Sequence, residues 1–305
     1  MALITGIGAN VFDSLVKIPS FPIEDTKCYV ETVVASGGGP TGTGLVAAAK
    51  LGASCSIIAV LSTDAGGHFL MDDYKKYGVN TALVEIRDGE SFSATVLLNS
   101  ATGSRTCLLN RGTLPKLVLN DAQKAEIRSA RVLMVDGNEM DAAVAAAEIA
   151  REAGTKVLYD AGGRYAGIER LLPLVNILIP SAEYALGFTG KLTLEEAARD
   201  LYARFSPEVV VITDGARGGI LFDGQEARFY PAFKVQVADS NGAGDVFHGA
   251  FAYAVTQGWD YYKCCVFSSA VSALKCTKVG ARPGVPTLKE TLEFLKSKSD
   301  LPVNF

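Results

Sequence analysis

Residues 239–247 read Asp239-Ser240-Asn241-Gly242-Ala243-Gly244-Asp245-Val246-Phe247, an acid within one turn of two glycines at the threshold of an apolar stretch. From Val246 on, apolar side chains recur at Phe247, Ala250, Phe251, Ala254 and Val255 until Gly258, which predicts a buried helix that starts near Gly242 and stops at a glycine. An acid in a first helical turn gains about 0.3–1 kcal/mol from the macrodipole, and that alone would account for Asp245. It does not account for a backbone stripped bare at Gly242 and Gly244. Bare N–H groups at a helix start make an anion site, and a carboxylate in the same turn repels an anion unless it has a task beside it. The task that fits is to take the proton of a hydroxyl attacking a phosphoryl group held by those N–H groups. The dipole favours the ionised carboxylate and so predicts a weak base, which phosphoryl transfer tolerates because positioning and charge stabilisation dominate.

The elements that must carry this helix alternate along the chain. Short β-branched runs such as "CSIIAVL", "RVLMVDG", "KVLYDAG", "VNILIPS" and "EVVVITDG" are separated by helical stretches such as "DAAVAAAEIAREAG" and "LEEAARDLYARF". Each run has the length of a parallel strand buried on both faces, and the alternation predicts an α/β fold with a doubly wound, mostly parallel sheet flanked by helices. Two stretches without helices, residues 26–36 and 90–109, read as two-faced strands, the second with a hairpin turn at Ala101 to Ser104; they predict a separate small β-sheet. No repeat or Pro-rich linker is visible, so residues 1–305 read as one domain with lid strands inserted at about 12–38 and 88–112.

Composition narrows the function. The 305 residues carry a net charge of −4 and no basic run longer than Lys75-Lys76, which argues against a nucleic-acid partner. "MALITGIGAN" has no positive segment ahead of an apolar stretch, and no stretch reaches the 18 or so apolar residues needed to span a bilayer; the expectation is no membrane partner and a cytoplasmic location. Cys28, Cys55, Cys107, Cys264, Cys265 and Cys276 show no CxxC spacing and read as reduced thiols. Gly6-Ile7-Gly8 begins a dinucleotide fingerprint but fails it, with Val11 at the third glycine position and Pro19 and Pro22 where the phosphate-capping helix should run. That removes a nucleotide-cofactor oxidoreductase and leaves those glycines as a tight strand exit.

The stretch 239–247 resembles the second signature of the ribokinase-like, or phosphofructokinase B type, carbohydrate kinases, D-[ST]-x-[GA]-A-G-D-x-F, at every specified position, and the resemblance covers nearly the whole chain. It implies an ATP-dependent kinase with Asp245 as base for a sugar hydroxyl and the N–H groups of Gly242, Ala243, Gly244 and Asp245 as the anion hole. Asp13 is similar to the family's amino-terminal sugar-binding Asp. "SGGGPTGTG" resembles the first signature, with Gly38 and Gly39 near the sugar and Thr43 where many members carry Asn. A hydroxyl cannot supply both the donor and the acceptor of an amide, so hydroxyl selectivity does not carry over. "PSAEYALGFTG" occupies the N-x-x-E segment associated with Mg²⁺ and phosphates, but reads Ser181 and Tyr184 there, with Glu183 one place earlier as the substitute. Thr213, Gly215 and Gly218 resemble the nucleotide-carrying turn. Residues 275–286, with Cys276, resemble the closing loop around adenine, whose carbonyls, Ala281 included, would join Asp239 and Asn241 in binding K⁺.

His248, three residues past Asp245, reads as a packing or hydrogen-bonding residue, and His68 as an ordinary one. The texture of "GGGP", "PAFKV" and "GAGDVFHGA" is similar to the branch of sulfofructose kinases and related ketose kinases, with Asn110, Arg111 and Asn138 placed to read the sugar's distal end. That branch would place an Arg near Asn138 to meet a sulfonate, and none stands there in the sequence, which suggests a neutral or differently charged substrate. The expectation is phosphorylation of a primary hydroxyl on a ketohexose or modified ketose, by a homodimer paired through lid strands. The alternatives are a ribose or nucleoside kinase of the same family, and a non-catalytic sugar or nucleotide sensor, which would have no need of Asp245.

Overall fold

The computed structural model describes residues 2–102, 104–163, 165–298, 301 and 304–305. Its large sheet runs in the order Ala227–Tyr230, Gly219–Phe222, Val209–Thr213, Ile177–Pro180, Lys156–Ala161, Val132–Val135, Ile4–Ile7, Cys55–Ser62 and Val79–Asn80, with Val84–Arg87 also paired to Cys55–Ser62. All pairings are parallel except the two that join Val209–Thr213, Gly219–Phe222 and Ala227–Tyr230. The central strands carry apolar side chains on both faces and so feed two cores. Val132 and Met134 pack with helices Pro40–Lys50, Ala243–Thr256 and Tyr261–Cys276 on one side; Leu133 and Val135 pack with Met140–Ala153 and Leu194–Phe205 on the other. The chain winds outward from Ile4–Ile7 in one direction and from Val132–Val135 in the other. The strand order therefore reverses between these two neighbours, and the carboxyl ends of such strands open a ligand crevice.

A second sheet of four strands, Thr32–Gly38, Val11–Ile18, Ser93–Asn99 and Arg105–Asn110, lies over that crevice. Its central pair, Val11–Ile18 with Ser93–Asn99, is parallel and the outer pairs are antiparallel. The central strand Val11–Ile18 lies at the start of the lid stretch expected at about 12–38. The strand expected from residue 26 starts at Thr32; residues 26–31 are exposed, and the Glu31 N–H reaches Lys17 O at 2.8 Å just ahead of it. In the hairpin, Asn99 Oδ1 accepts the N–H groups of Ala101 and Thr102 at 2.9 and 3.1 Å, and Gly103 lies outside the described residues. All six cysteines are free. Among the described residues no helix is long and apolar enough to cross a membrane.

Candidate active site

The helix Ala243–Thr256 starts from Gly242, whose φ of 74° lies in the left-handed region, where a side chain would be strained. A Cβ on Gly242 would also collide with the Cβ of Ala281. Gly244 differs: a Cβ there would meet no atom of the protein within 4 Å. Packing does not require this glycine, and the open space over it belongs to a cavity. That cavity, of about 530 Å³, is lined by Thr213, Gly215, Gly218, Ala243, Gly244 and Cys276 together with the stacked rings of Tyr230 and Phe247. A second cavity, of about 220 Å³, lies beneath the small sheet and holds Asp13, Gly38, Gly39, Thr43, Arg111, Asn138, Asn241, Gly242, Asp245 and Ala281. The start of the helix is thus the wall between two cavities, with the Asp245 carboxyl on the smaller side and the Gly244 backbone on the larger.

The Val246 N–H closes the first helical bond, on Gly242 O at 2.9 Å, and the Ala243 N–H turns to Ser240 O at 3.2 Å. The N–H groups of Gly244 and Asp245 precede the first closed turn, so Ala243 contributes less to an anion hole than its place in the motif implied. Burial raises the Asp245 carboxyl above the ordinary carboxylate range; His248 opposes this, Asp136 adds to it, and Arg105 and Arg282 oppose it. This direction is opposite to the weak base expected from the dipole, with burial the largest cause. Behind Asp245, His248 puts Nδ1 at 2.6 Å from Gly244 O and 3.2 Å from Asp160 Oδ2, and Nε2 at 3.0 Å from Ile179 O. This is a hydrogen-bonding role, and it pins the first helical turn to the end of a sheet strand. Burial pushes Asp160 up to about 7, with His248 pulling the other way. His68 is exposed, with Nδ1 at 2.9 Å from Asp64 O.

On the small-sheet side, burial pushes Asp13 up to about 7, Arg282 pulls it down and Asp245 pushes it up further. The Thr43 hydroxyl is fully buried at the cavity and has no hydrogen-bond partner. Two residues not singled out from the sequence, Asp136 and Arg282, organise this wall. Asp136, at the end of Val132–Val135, accepts the N–H groups of Ala9, Thr41 and Asn138 at 3.0–3.1 Å, so one carboxylate fixes the first strand exit and the start of helix Pro40–Lys50. Arg282 is fully buried; it donates to Asp73 at 2.7 Å and Gly38 O at 2.8 Å, and stacks on Tyr74. Its guanidinium occupies the space where Gly37 and Gly42 lack side chains, so part of the glycine-rich run serves the protein and not a ligand. Arg105 faces a third cavity beside Asp239 and Asn241. The sequence signal available for the acid was the lone Asp ending "RVLMVD" at the reversal of strand order.

Several expected residues stand elsewhere. Asn110 is exposed and accepts the Gly112 N–H at 3.1 Å; the two-residue period of its strand sends Leu109 toward the cavity and Asn110 away. Asn138 lines the cavity, but its amide is spent on the protein. Its Nδ2 donates to Asp136 at 3.1 Å and to Tyr165 OH at 3.0 Å, and its Oδ1 accepts from Arg111 at 2.8 Å. It is a brace for Arg111 and Tyr165, and an Arg does stand at Asn138, brought there by the small sheet. Glu183 is exposed and lines none of these cavities, while Ser181 caps its helix by accepting the Tyr184 N–H at 3.1 Å. No group of three or more His, Cys, Asp or Glu able to hold a metal occurs among the described residues. The K⁺ expected at Asp239, Asn241 and Ala281 does not fit either. Lys275, fully buried, donates to Asp239 O at 2.7 Å and stands 3.7 Å from Asp239 Oδ2, so a second cation there would face an ammonium.

The model of the pfkB family of carbohydrate kinases matches residues 5–288, and the chain belongs to this family. A ribokinase of Haemophilus influenzae is 26% identical over 300 residues, which cover 96% of this chain and 98% of that protein. A 5-dehydro-2-deoxygluconokinase of Shouchella clausii is 26% identical over 292 residues, covering 88% of each. The Arabidopsis thaliana ribokinase solved with ribose and ATP superposes with a TM-score of 0.86 at 24% identity, covering 97% of this chain and 99% of that one, and so shares the fold.

Proposed function

We propose that this carbohydrate kinase transfers the γ-phosphoryl group of ATP to a primary hydroxyl of a ketohexose or a modified ketose. The observation that carries the reading is the shared wall: a carboxyl on one side and unfilled backbone on the other, at the start of one helix. ATP, whose γ-phosphoryl is the group transferred, suits the larger cavity, with its base near Cys276 and the turn of Thr213, Gly215 and Gly218. The N–H groups of Gly244 and Asp245 offer donors to an anion at the wall. Asp245, raised by burial and by Asp136, takes the proton of the attacking hydroxyl. Mg²⁺ enters on the nucleotide's own phosphates, a mode that needs few protein carboxylates. A non-catalytic sensor has no use for a base at this wall.

Asp13 accepts sugar hydroxyls, and the unpartnered Thr43 hydroxyl meets another. Arg111 and Tyr165, held by Asn138, meet the far end of the sugar. A nucleoside fits less well, since the cavity is small for one and the face of Phe92 is covered by Arg111 at 4.9 Å. The relatives named ribokinase keep ribose as the second reading. Release of ADP measured as kcat/KM over fructose-like ketoses, ribose and adenosine tests the order: ketoses first supports it, and a nucleoside first overturns it. Pairing of two copies through the small sheet is supported by its outer strands, where Val33, Val34, Leu108 and Leu109 are exposed.

A further inference from the structure

Lys275 is the last-turn residue of helix Tyr261–Cys276, and its side chain turns inward. The ammonium donates to Asp239 O at 2.7 Å and lies 3.7 Å from Asp239 Oδ2. Asp239 is itself the hub of the loop before the catalytic helix. Its Oδ1 accepts the Asn241 N–H and its Oδ2 the Gly280 N–H, each at 2.8 Å, so one carboxylate ties residues 239–241 to the closing loop. Asn241 and Ala281 both reach the smaller cavity, and Ala281 packs on Gly242. A positive charge at Asp239 is therefore one loop away from the N–H groups that would hold the transferred phosphoryl group. Burial lowers the Lys275 pKa from its ordinary value, against the pull of Asp239, Cys276 and Asp245, all of which favour the charged form.

We propose that Lys275 is a built-in cation that does at Asp239 what a bound K⁺ would do, so that the enzyme orders its anion hole without a soluble monovalent ion. The inference rests on the kinase reading above. The oxygens that the ammonium faces, Asp239 O at 2.7 Å and Asp239 Oδ2 at 3.7 Å, are ones a small cation can also use. What separates this chain from an ion-dependent one is the tethered ammonium, a positioning residue that touches neither substrate. Its removal should leave a pocket that K⁺ or NH₄⁺ can enter.

The test compares wild type and Lys275→Ala in KCl and in tetramethylammonium chloride at equal ionic strength, reading ADP release and, without substrates, Tm. Wild type is expected to show equal rates and equal Tm in both salts. Lys275→Ala is expected to lose roughly tenfold or more in kcat in the bulky cation, to regain most of it in KCl or NH₄Cl, and to gain Tm from K⁺ alone. Lys275→Met, which fills the pocket with apolar atoms, should not be rescued. Activation of the wild type by K⁺, or full activity of Lys275→Ala in tetramethylammonium, overturns the proposal. If the alanine variant does not fold, the wild-type comparison alone decides. Absence of ADP release from any sugar in KCl would strike the kinase reading, while the Tm arm would still report on the cation.

Discussion

The two cavities that meet at the start of helix Ala243–Thr256 are built from different materials. The larger is made of turns and apolar side chains: Thr213, Gly215 and Gly218 approach by backbone, and Tyr230 and Phe247 supply a stacked floor. The smaller brings ionisable groups, Asp13, Asp245 and Arg111, together among apolar side chains such as Val11, Phe92 and Leu109, and is braced from behind by Asp136 and Arg282. A backbone cradle accepts any ligand of the right phosphate geometry, whereas fixed carboxylates and guanidinium groups select by hydroxyl position. On the proposed function, substrate choice belongs to the smaller side, and the larger side is a general holder for the phosphoryl donor.

The difference can be broken from either side. Asp13→Asn should lower kcat/KM for the sugar by roughly 10²–10³, the range for losing one or two charge-assisted hydrogen bonds, with the KM for ATP unchanged in steady-state assays. The same variant should melt higher than the parent above pH 7 without sugar. Asp13 is raised to about 7 in the fold, above its ordinary 3.8, so ionising it costs stability that grows from about pH 4 and is complete above about pH 7. Asparagine has no such cost, and equal melting at pH 8 would deny the desolvation. Gly244→Ala, on the other side, should leave Tm unchanged or higher, since nothing in the protein meets the new methyl group, while kcat falls roughly tenfold or more because the methyl group enters the phosphoryl path. A loss of stability with normal turnover would mean that the glycine serves packing. The smallest effect concerns pH. Sugar kcat/KM should decline by up to about tenfold per unit below pH 7 as Asp13 takes up its proton and ceases to accept two hydroxyls, while nucleotide binding by the larger side stays flat. Parallel decline of both would erase the distinction between the two sides.

What the sequence disclosed follows the same division. The larger side was legible because it is local: the turn glycines at 215 and 218 and the helix start at 242–245 are short runs whose chemistry lies in the backbone. Asp13 and Thr43 were legible as single residues in the smaller cavity. The braces were not. Arg282 reaches Gly38 across 244 positions of chain and Asp136 reaches Thr41 across 95, and no local pattern marks either pairing. Asn110 stands away from the cavity, which Asn138 lines. An amide in a sequence reads as a free donor, and only the fold shows that one of them faces away and the other is spent on Asp136, Tyr165 and Arg111. The large sheet was legible from its apolar runs, and the strand Val11–Ile18 falls within the lid stretch placed at about 12–38.

The shared wall itself is tested most directly at Asp245. For Asp245→Asn and the parent, ADP release with the preferred sugar and the Tm shift produced by ATP are measured side by side. The account predicts that kcat falls by roughly 10²–10⁴, the range for losing general-base help, while the ATP-induced shift is unchanged because Asp245 faces the smaller cavity. Turnover within a few-fold of the parent would contradict it.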